Sequence, residues 1–292
     1  MAGLRPDDAE IIVGTSAGAV AAGYLRSGWE TEEVWRLVVG THECLAGLGP
    51  AEIDALRADM FTPRFRNAPD LARRALGSTF VLGRSVVRTP GLAAPGWLQR
   101  LFPGGLFDMT AARRRFSADL PDAWPSRPLW LCAVDVANGR RVVLGRPGAP
   151  STDLRRAVLA SCAIPGLYQP VTIAGRALVD GGARSNTNLD LAATGGIDLI
   201  VAIAPSTFDP SNRPARVMQL VRRAATRRLA AEAAFARRQG CRVLLVRPSS
   251  SDVELHGLNF MRATGWERVA RQAYETTARA LDTPRFREAL AA

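Results

Sequence analysis

The sequence predicts an α/β protein in which a parallel or mixed sheet carries helices on both faces. Short apolar runs alternate with helical segments along the 292 residues, the order typical of this class. Hydrophobic residues make up 47% and charged residues 22% of the chain, as in ordinary soluble enzymes. No apolar run approaches the roughly 20 residues that span a bilayer. The first ten residues lack the features of a secretory signal, so we expect a cytoplasmic protein.

The first predicted elements surround a glycine-flanked serine. Residues 10–13 (EIIV) form a short apolar strand that leads directly into Gly14-Thr15-Ser16-Ala17-Gly18. Residues 17–25 are small and apolar, as in a buried helix, and a second helix opens at residue 31 with two glutamates in its first turn. We predict one domain over residues 1–292, with a cap-like insertion at about 44–128, where Pro and Gly separate short helical pieces such as 69–76 and 110–116.

From residue 129 onward, strands and helices alternate more regularly. The predicted elements are a hairpin turning at Asn138-Gly139, a helix over 153–163, a hairpin whose second strand (RALVD) ends at Asp180-Gly181-Gly182, a helix over 189–194, a buried strand over 198–204, a helix over 214–239 ended by Gly240, the strand CRVLLV, and a helix over 265–281.

The GxSxG pattern predicts a nucleophilic serine. Such a serine needs a tight strand-to-helix turn that exposes its hydroxyl, and we expect Gly14 and Gly18 to avoid side-chain clashes there. The helix that follows directs N–H groups, first of all that of Ala17, at developing negative charge. Because an apolar strand precedes the motif and an apolar helix follows it, we favour a catalytic elbow at Ser16 over an ordinary buried turn.

The predicted general base is Asp180. It ends a strand and precedes two glycines, and a carboxylate can take a serine proton directly in a water-excluded site. A conventional triad would need His42 or His256, and His256 follows the last predicted strand. An α/β-hydrolase has several strands before the elbow, whereas at most one fits here. This argues against His256, which is kept as the alternative base.

Together the two motifs resemble the patatin-like phospholipase family, which pairs an early GxSxG serine with a distant Asp-Gly-Gly or Asp-Gly-Ala base. The segment Ala160-Ser161-Cys162-Ala163-Ile164-Pro165 resembles the family's segment before the aspartate strand. Asn186 lies where the family usually carries an asparagine. The similarity covers most of the chain and is weak across 44–128.

This resemblance implies a three-layer α/β/α fold with a central, mainly parallel sheet and a helical cap. It implies a Ser16–Asp180 dyad, with Gly181 and Gly182 completing the Asp-Gly-Gly motif, that hydrolyses acyl esters of lipids through an acyl-enzyme. No metal or organic cofactor is expected. Transfer of the acyl group to an alcohol instead of water remains an alternative.

The family's glycine-rich oxyanion loop has no counterpart before the elbow. Only 13 residues precede Gly14, without a glycine cluster, and the Gly104-Gly105 pair lies in the predicted cap. We therefore expect the gene product to start upstream of Met1. The alternative is a lipid-binding or scaffold protein of the same fold that does not turn over substrate.

The charge predicts contact with anionic surfaces. All 38 basic residues are Arg, and the net charge is +11, which favours phospholipid headgroups or nucleic acid. No nucleic-acid motif is present, and we expect no such partner. Residues 213–242 contain nine arginines and one acid; we predict a helix packed through Val217, Val221, Ala225 and Leu229 with a solvated basic face, or one that contacts anionic lipid.

Residues 95–107 contain a second apolar cluster, which either forms an interfacial lid or packs over the core. Its members are Trp97, Leu98, Leu101, Phe102, Leu106 and Phe107.

The cysteines argue against a structural zinc site or a disulfide framework. Their spacing contains no CxxC, and only two histidines are present. Buried free thiols are expected at Cys44, Cys132, Cys162 and Cys241.

Overall fold

The computed structural model describes residues 5–86, 104–193, 196–258 and 264–291. These residues fall into two compact units. The elbow unit consists of Ala9–Glu30 and Ala55–Arg184, and the C-terminal unit consists of Met1–Asp8, Thr31–Asp54 and Ser185–Ala292. Residues 55–86 and 104–128 thus belong to the unit that contains the elbow. The single domain with a cap at 44–128 stays a prediction.

The described residues contain seven strands and ten α-helices. The strands are β1 Ile12–Gly14, β2 Leu129–Asp135, β3 Arg140–Leu144, β4 Val171–Ile173, β5 Arg176–Asp180, β6 Leu199–Ile203 and β7 Arg242–Val246. The helices are α1 Ala17–Arg26, α2 Thr31–Val39, α3 Pro50–Ala58, α4 Ala68–Val86, α5 Thr110–Asp119, α6 Leu154–Ser161, α7 Arg216–Arg238, α8 Ser250–His256, α9 Trp266–Leu281 and α10 Pro284–Ala291.

The sheet of the elbow unit is mixed. Strand β1 is parallel to β2, β3 and β5 are antiparallel to β2, and β4 is antiparallel to β5. Helices α1 and α6 contact β1, β2 and β5, and α4 places Val81 against Val134 and Val179. The predicted α/β class with a mixed sheet and packed helices is therefore confirmed.

The register brings the ends of two strands together. Leu131 of β2 pairs with both Gly14 of β1 and Leu144 of β3, and Ala133 pairs with both β3 and Asp180 of β5. Because a strand residue has one neighbour on each edge, β3 occupies one edge of β2, and β1 and β5 share the other. Strands β1 and β5 run in opposite directions along that edge, so their C-terminal ends approach each other near the middle of β2.

The C-terminal unit is built on the parallel pair β6–β7. Helix α7 covers one face of this pair, and Leu229 and Ala233 pack with Ile200 and Ala202 of β6. The prediction of a buried strand at 198–204 is only half right, because alternate residues face outward and Ile203 is 72% exposed.

The predicted buried face of helix α7 is wrong in its first half. Val217 and Val221 are half exposed, whereas Arg222 is buried. The Arg222 guanidinium donates to the carbonyl oxygens of Pro205 and Thr207, at 2.6 and 3.2 Å. These hydrogen bonds rotate the helix so that Arg222, and not the valines, faces inward.

Helix α4 is longer than the predicted 69–76. Its internal glycine Gly77 does not end it, because Gly77 and Ser78 pack closely against residues 104–105. Gly105 has φ +99°, and a Cβ there would lie 2.3 Å from the Gln169 nitrogen. Its N–H donates to Ser78 Oγ at 3.0 Å, so this glycine pair serves close packing.

Two predictions fall partly outside the described residues. Of the apolar cluster at 95–107, Trp97, Leu98, Leu101 and Phe102 lie outside them, and Phe107 contacts the Tyr168 ring edge-on at 6.5 Å. The predicted helix at 189–194 is a single 3-10 turn, Leu189–Leu191, and Thr194 lies outside. Within the described ranges, no helix is long and apolar enough to cross a membrane.

Candidate active site

Ser16 occupies a strained strand-to-helix turn. Its backbone has φ 54° and ψ −124°, a region that costs a non-glycine residue about 1–3 kcal/mol. Gly14 permits the turn, because a Cβ at residue 14 would lie 2.7 Å from Ala19 Cα. Gly18 would meet nothing within 4 Å, so the predicted clash holds for Gly14 and is wrong for Gly18. Ala17 and Gly18, directly after the serine, are exposed.

The C-terminal end of α6 holds this turn through hydrogen bonds to both backbone groups of Ser16. The Ser16 N–H donates to Ser161 Oγ at 3.1 Å, and the Ser161 hydroxyl donates to the Cys132 carbonyl at 2.7 Å. The Cys162 thiol donates to the Ser16 carbonyl at 3.4 Å. Ser161 is completely buried. The family resemblance includes this segment, but the sequence analysis does not predict a role for Ser161.

The elbow leaves one backbone N–H unoccupied. The Ser16 N–H is bound by Ser161, and the Gly18 N–H donates to the Thr15 carbonyl at 2.9 Å. Among the residues that the structure describes, the Ala17 N–H has no acceptor. It lies at the N-terminus of α1, where the helix dipole favours negative charge.

The Ser16 hydroxyl lies close enough to Asp180 to act on the pKa of its carboxyl through hydrogen bonding. The carboxylate is 4% exposed, and its Oδ1 also accepts from the Gly182 N–H at 2.7 Å. Gly181 is required between them, because a Cβ there would lie 2.6 Å from the Cys132 carbonyl oxygen. The meeting of β1 and β5 thus brings the two predicted site residues together.

Burial raises the pKa of Asp180 to about 6, although the hydrogen bonds from Ser16 and Gly182 act to lower it. Burial, with the nearby charge of Asp180, also raises the pKa of the Cys162 thiol. At neutral pH the site therefore combines an ionised, buried carboxylate with a protonated thiol.

Helix α1 is anchored behind the elbow by Tyr24. This buried side chain donates to Asp119 of α5, and its ring lies 4.5 Å from that of Trp29. Burial raises the pKa of Tyr24, so the hydroxyl remains a donor. The anchor fixes the direction of the helix whose N-terminus carries Ser16.

Both histidines belong to the C-terminal unit, whereas Ser16 and Asp180 belong to the elbow unit. His256 Nδ1 is 3.4 Å from the carbonyl of the adjacent Gly257. His42 is partly buried and accepts from the Cys44 N–H at 3.2 Å, which caps a 3-10 turn. Asn186 is exposed, and Asn188, which donates to the Ser185 carbonyl at 2.6 Å, is the buried asparagine of this loop.

The cysteines are free, as expected, but not all are buried. Cys132 and Cys241 are buried, Cys162 is partly exposed and Cys44 is exposed. Cys44 lies on a 3-10 turn at the surface, which corrects the prediction for this residue. The described part of the chain contains no group of three metal-ligating side chains.

Replacing Ser161 by alanine tests the hydrogen bonds that hold the elbow. The Ser161→Ala variant leaves the Ser16 N–H and the Cys132 carbonyl without this partner, and we expect it to lose about 2 kcal/mol of unfolding free energy. Thr79→Ala, which removes an exposed hydroxyl, should change stability by less than about 0.5 kcal/mol. Chemical denaturation measures both, and equal effects would contradict the role assigned to Ser161.

The raised pKa of Asp180 predicts that the carboxylate destabilises the fold. The unfolded chain releases this proton near pH 3.8 and the folded chain near 6. The neutral Asp180 carboxyl therefore stabilises the fold relative to the ionised form. This stabilisation is fully present below pH 3.8 and is lost as the pH rises to about 6. The difference between the two pKa values, about 2, corresponds to roughly 3 kcal/mol.

Asp180→Asn should therefore be more stable than the wild type above neutrality, by up to about 3 kcal/mol. The difference should vanish at acidic pH, where both side chains are neutral. Denaturation at several pH values measures it, with Asp282→Asn as an exposed control. A variant less stable than the wild type above neutrality would contradict the prediction.

A known protein family matches most of the chain. The family model described as patatin-like phospholipase matches residues 3–193, which is 191 of the 292 residues and includes Ser16, Ser161 and Asp180. No curated protein shows significant similarity to the chain. The chain therefore belongs to the patatin-like phospholipase family, a family of lipid acyl hydrolases.

Proposed function

We propose that this protein is a serine lipid acyl hydrolase, a phospholipase or esterase that cleaves carboxylic esters through Ser16 and Asp180. The observation that carries the proposal is the placement of the Ser16 hydroxyl beside the buried Asp180 carboxylate, where the ends of β1 and β5 meet. A nucleophile in hydrogen-bond contact with a base is the arrangement that covalent acyl transfer requires. The open space beside Ala17 and Gly18 provides access for an ester.

In the acylation step, Ser16 Oγ attacks the acyl carbonyl carbon while its proton moves to Asp180. The carbonyl oxygen becomes negatively charged and accepts a hydrogen bond from the Ala17 N–H. When the tetrahedral intermediate collapses, the ester C–O bond breaks, and Asp180 returns the proton to the departing alcohol. The products are the free alcohol and an acyl ester on Ser16.

In deacylation, water takes the place of the alcohol. Asp180 accepts a proton from that water as its oxygen attacks the acyl-enzyme carbonyl. Collapse of the second intermediate breaks the bond to Ser16 Oγ, and the proton passes to that oxygen. The fatty acid leaves and the dyad is restored, with no metal or organic cofactor in the cycle.

A second candidate function is lipid binding without efficient turnover. It is favoured by the elbow's single unoccupied N–H, that of Ala17, within the described residues. Removal of one oxyanion donor typically costs ~10²–10³ in turnover. A hydrolase releases product repeatedly, whereas a lipid-binding protein of this fold binds lipid without such release.

We propose that the partners are lipid or acyl-ester substrates and an anionic membrane surface contacted peripherally. Support comes from the family's lipid substrates and the net charge of +11. The sequence carries no recognition motif for nucleic acid, so the charge is assigned to lipid.

A fluorophosphonate probe should label the wild type and fail to label Ser16→Ala, because the bond forms at Ser16 Oγ. Asp180→Asn should lower ester turnover by ~10²–10⁴, the usual contribution of a general base. Mass spectrometry and fatty-acid release measure these effects, with Ser251→Ala and Asp282→Asn as exposed controls.

Equal labelling of Ser16→Ala would refute the proposed nucleophile. Unchanged turnover in Asp180→Asn together with inactive His256→Ala would instead support a conventional esterase that uses His256. Labelling and vesicle binding without any ester hydrolysis would favour the lipid-binding alternative.

The pH dependence of kcat/KM should follow the ionisation of Asp180. The base must be ionised, so the rate should fall about tenfold per pH unit below about 6 and level off above it. Because histidine titrates in the same range, His256→Ala is the control and should keep this profile. A profile that shifts in His256→Ala, or that is flat through pH 6, would contradict the assignment.

A further inference from the structure

Helix α4 exposes an apolar face that the elbow unit leaves uncovered among the described residues. Leu76 is 62% exposed, Leu82 49% and Leu71 36%. At 100° per residue, these leucines and their exposed neighbours span about 140° of the helix surface. The neighbours are Ala72, Ala75, Thr79 and Gly83, and none of these seven residues is charged.

The opposite face of the same helix is already packed. Val81 lies in the cluster with Val134 and Val179. Ser78, at the border between the two faces, accepts from the Gly105 N–H at 3.0 Å. A surface helix normally has one apolar stripe and an opposite polar face. Helix α4 has an apolar surface on both sides, and an exposed apolar patch of this kind marks an interaction site.

Cationic residues border the exposed face. Phe65, just before the helix, is 39% exposed and lies between the exposed Arg64 and Arg66. The only acid of the helix, Asp70, lies on the packed side, where Arg73 and Arg74 bind it at 3.2 and 3.0 Å. The exposed helix face itself therefore has apolar side chains and no carboxylate. The arginines lie at its N-terminal end, where Arg64 interacts with Asp108 and the Arg66 N–H donates to Asp70.

We infer that this α4 surface, formed by Phe65, Leu71, Leu76 and Leu82 with Arg64 and Arg66, docks on an anionic lipid bilayer. The apolar side chains would enter the boundary between headgroups and acyl chains, and the arginines would contact lipid phosphates. The inference deepens the proposed function, on which it rests, by naming the surface that meets the lipid aggregate. A second copy of the chain fits less well, because it would bring two arginine-bordered patches of like charge together.

Vesicle sedimentation with the full chain tests this inference. The probes are vesicles of phosphatidylcholine alone and of phosphatidylcholine with phosphatidylglycerol. The double variant Leu76→Gln/Leu82→Gln should bind the anionic vesicles at least about tenfold more weakly than the wild type. Gln keeps a good helix propensity, and circular dichroism checks the fold. Leu220→Gln, at a leucine that is 68% exposed on α7, is the matched control and should bind like the wild type.

Arg64 and Arg66 should contribute to the binding of anionic vesicles only. Arg64→Gln/Arg66→Gln should weaken binding to the anionic vesicles by about fivefold per arginine, because each contributes near a negatively charged surface. Binding to pure phosphatidylcholine should not change.

Equal vesicle binding by the wild type and the leucine double variant would overturn the inference. So would light scattering that shows a wild-type dimer and a monomeric double variant, which would assign the α4 surface to a second copy. Hydrolysis of a soluble ester by the wild type tests the proposed hydrolase activity independently of membrane binding. Vesicle binding through α4 without ester hydrolysis keeps the inference and rejects the hydrolase, whereas hydrolysis with binding independent of α4 does the reverse.

Discussion

The buried hydroxyl of Ser161 links the three segments on which the site depends. It accepts from the backbone of Ser16 and donates to the Cys132 carbonyl of β2, so that the strained elbow is tied to the centre of the sheet. Asp180 reaches the same point from the other direction, because β5 approaches along the same edge of β2 as β1. One side chain on α6 therefore fixes the nucleophile's backbone at the place where the carboxylate arrives.

The two local motifs were predictable because each has a short-range cause. A serine between two glycines after an apolar strand predicts a tight turn, and the structure has Ser16 at φ 54°. The aspartate that ends RALVD accepts from the N–H of Gly182, two residues further along the chain. Both signals lie within a few residues of the group that they concern, which is why sequence spacing reveals them.

Features set by distant contacts were not predictable in the same way. The role of Ser161 depends on residues 145 and 29 positions away, and nothing in its neighbours specifies them. The buried face of α7 was misassigned because carbonyl groups of residues 205 and 207 hold Arg222 inside, against its usual preference for the surface. The length of α4 was underestimated because Gly77 is used for close packing and does not end the helix.

The assignment of the three N–H groups at the elbow has a consequence for chemical probes of the site. With the Ser16 and Gly18 groups occupied, the Ala17 N–H is the elbow donor open to an oxyanion within the described chain. An inhibitor whose affinity comes from imitating that oxyanion, such as a reversible trifluoromethyl ketone, gains little from a single donor. A reagent that forms a covalent bond to Ser16 Oγ does not depend on these donors. We therefore expect irreversible covalent inhibitors to be more effective at this site than transition-state mimics.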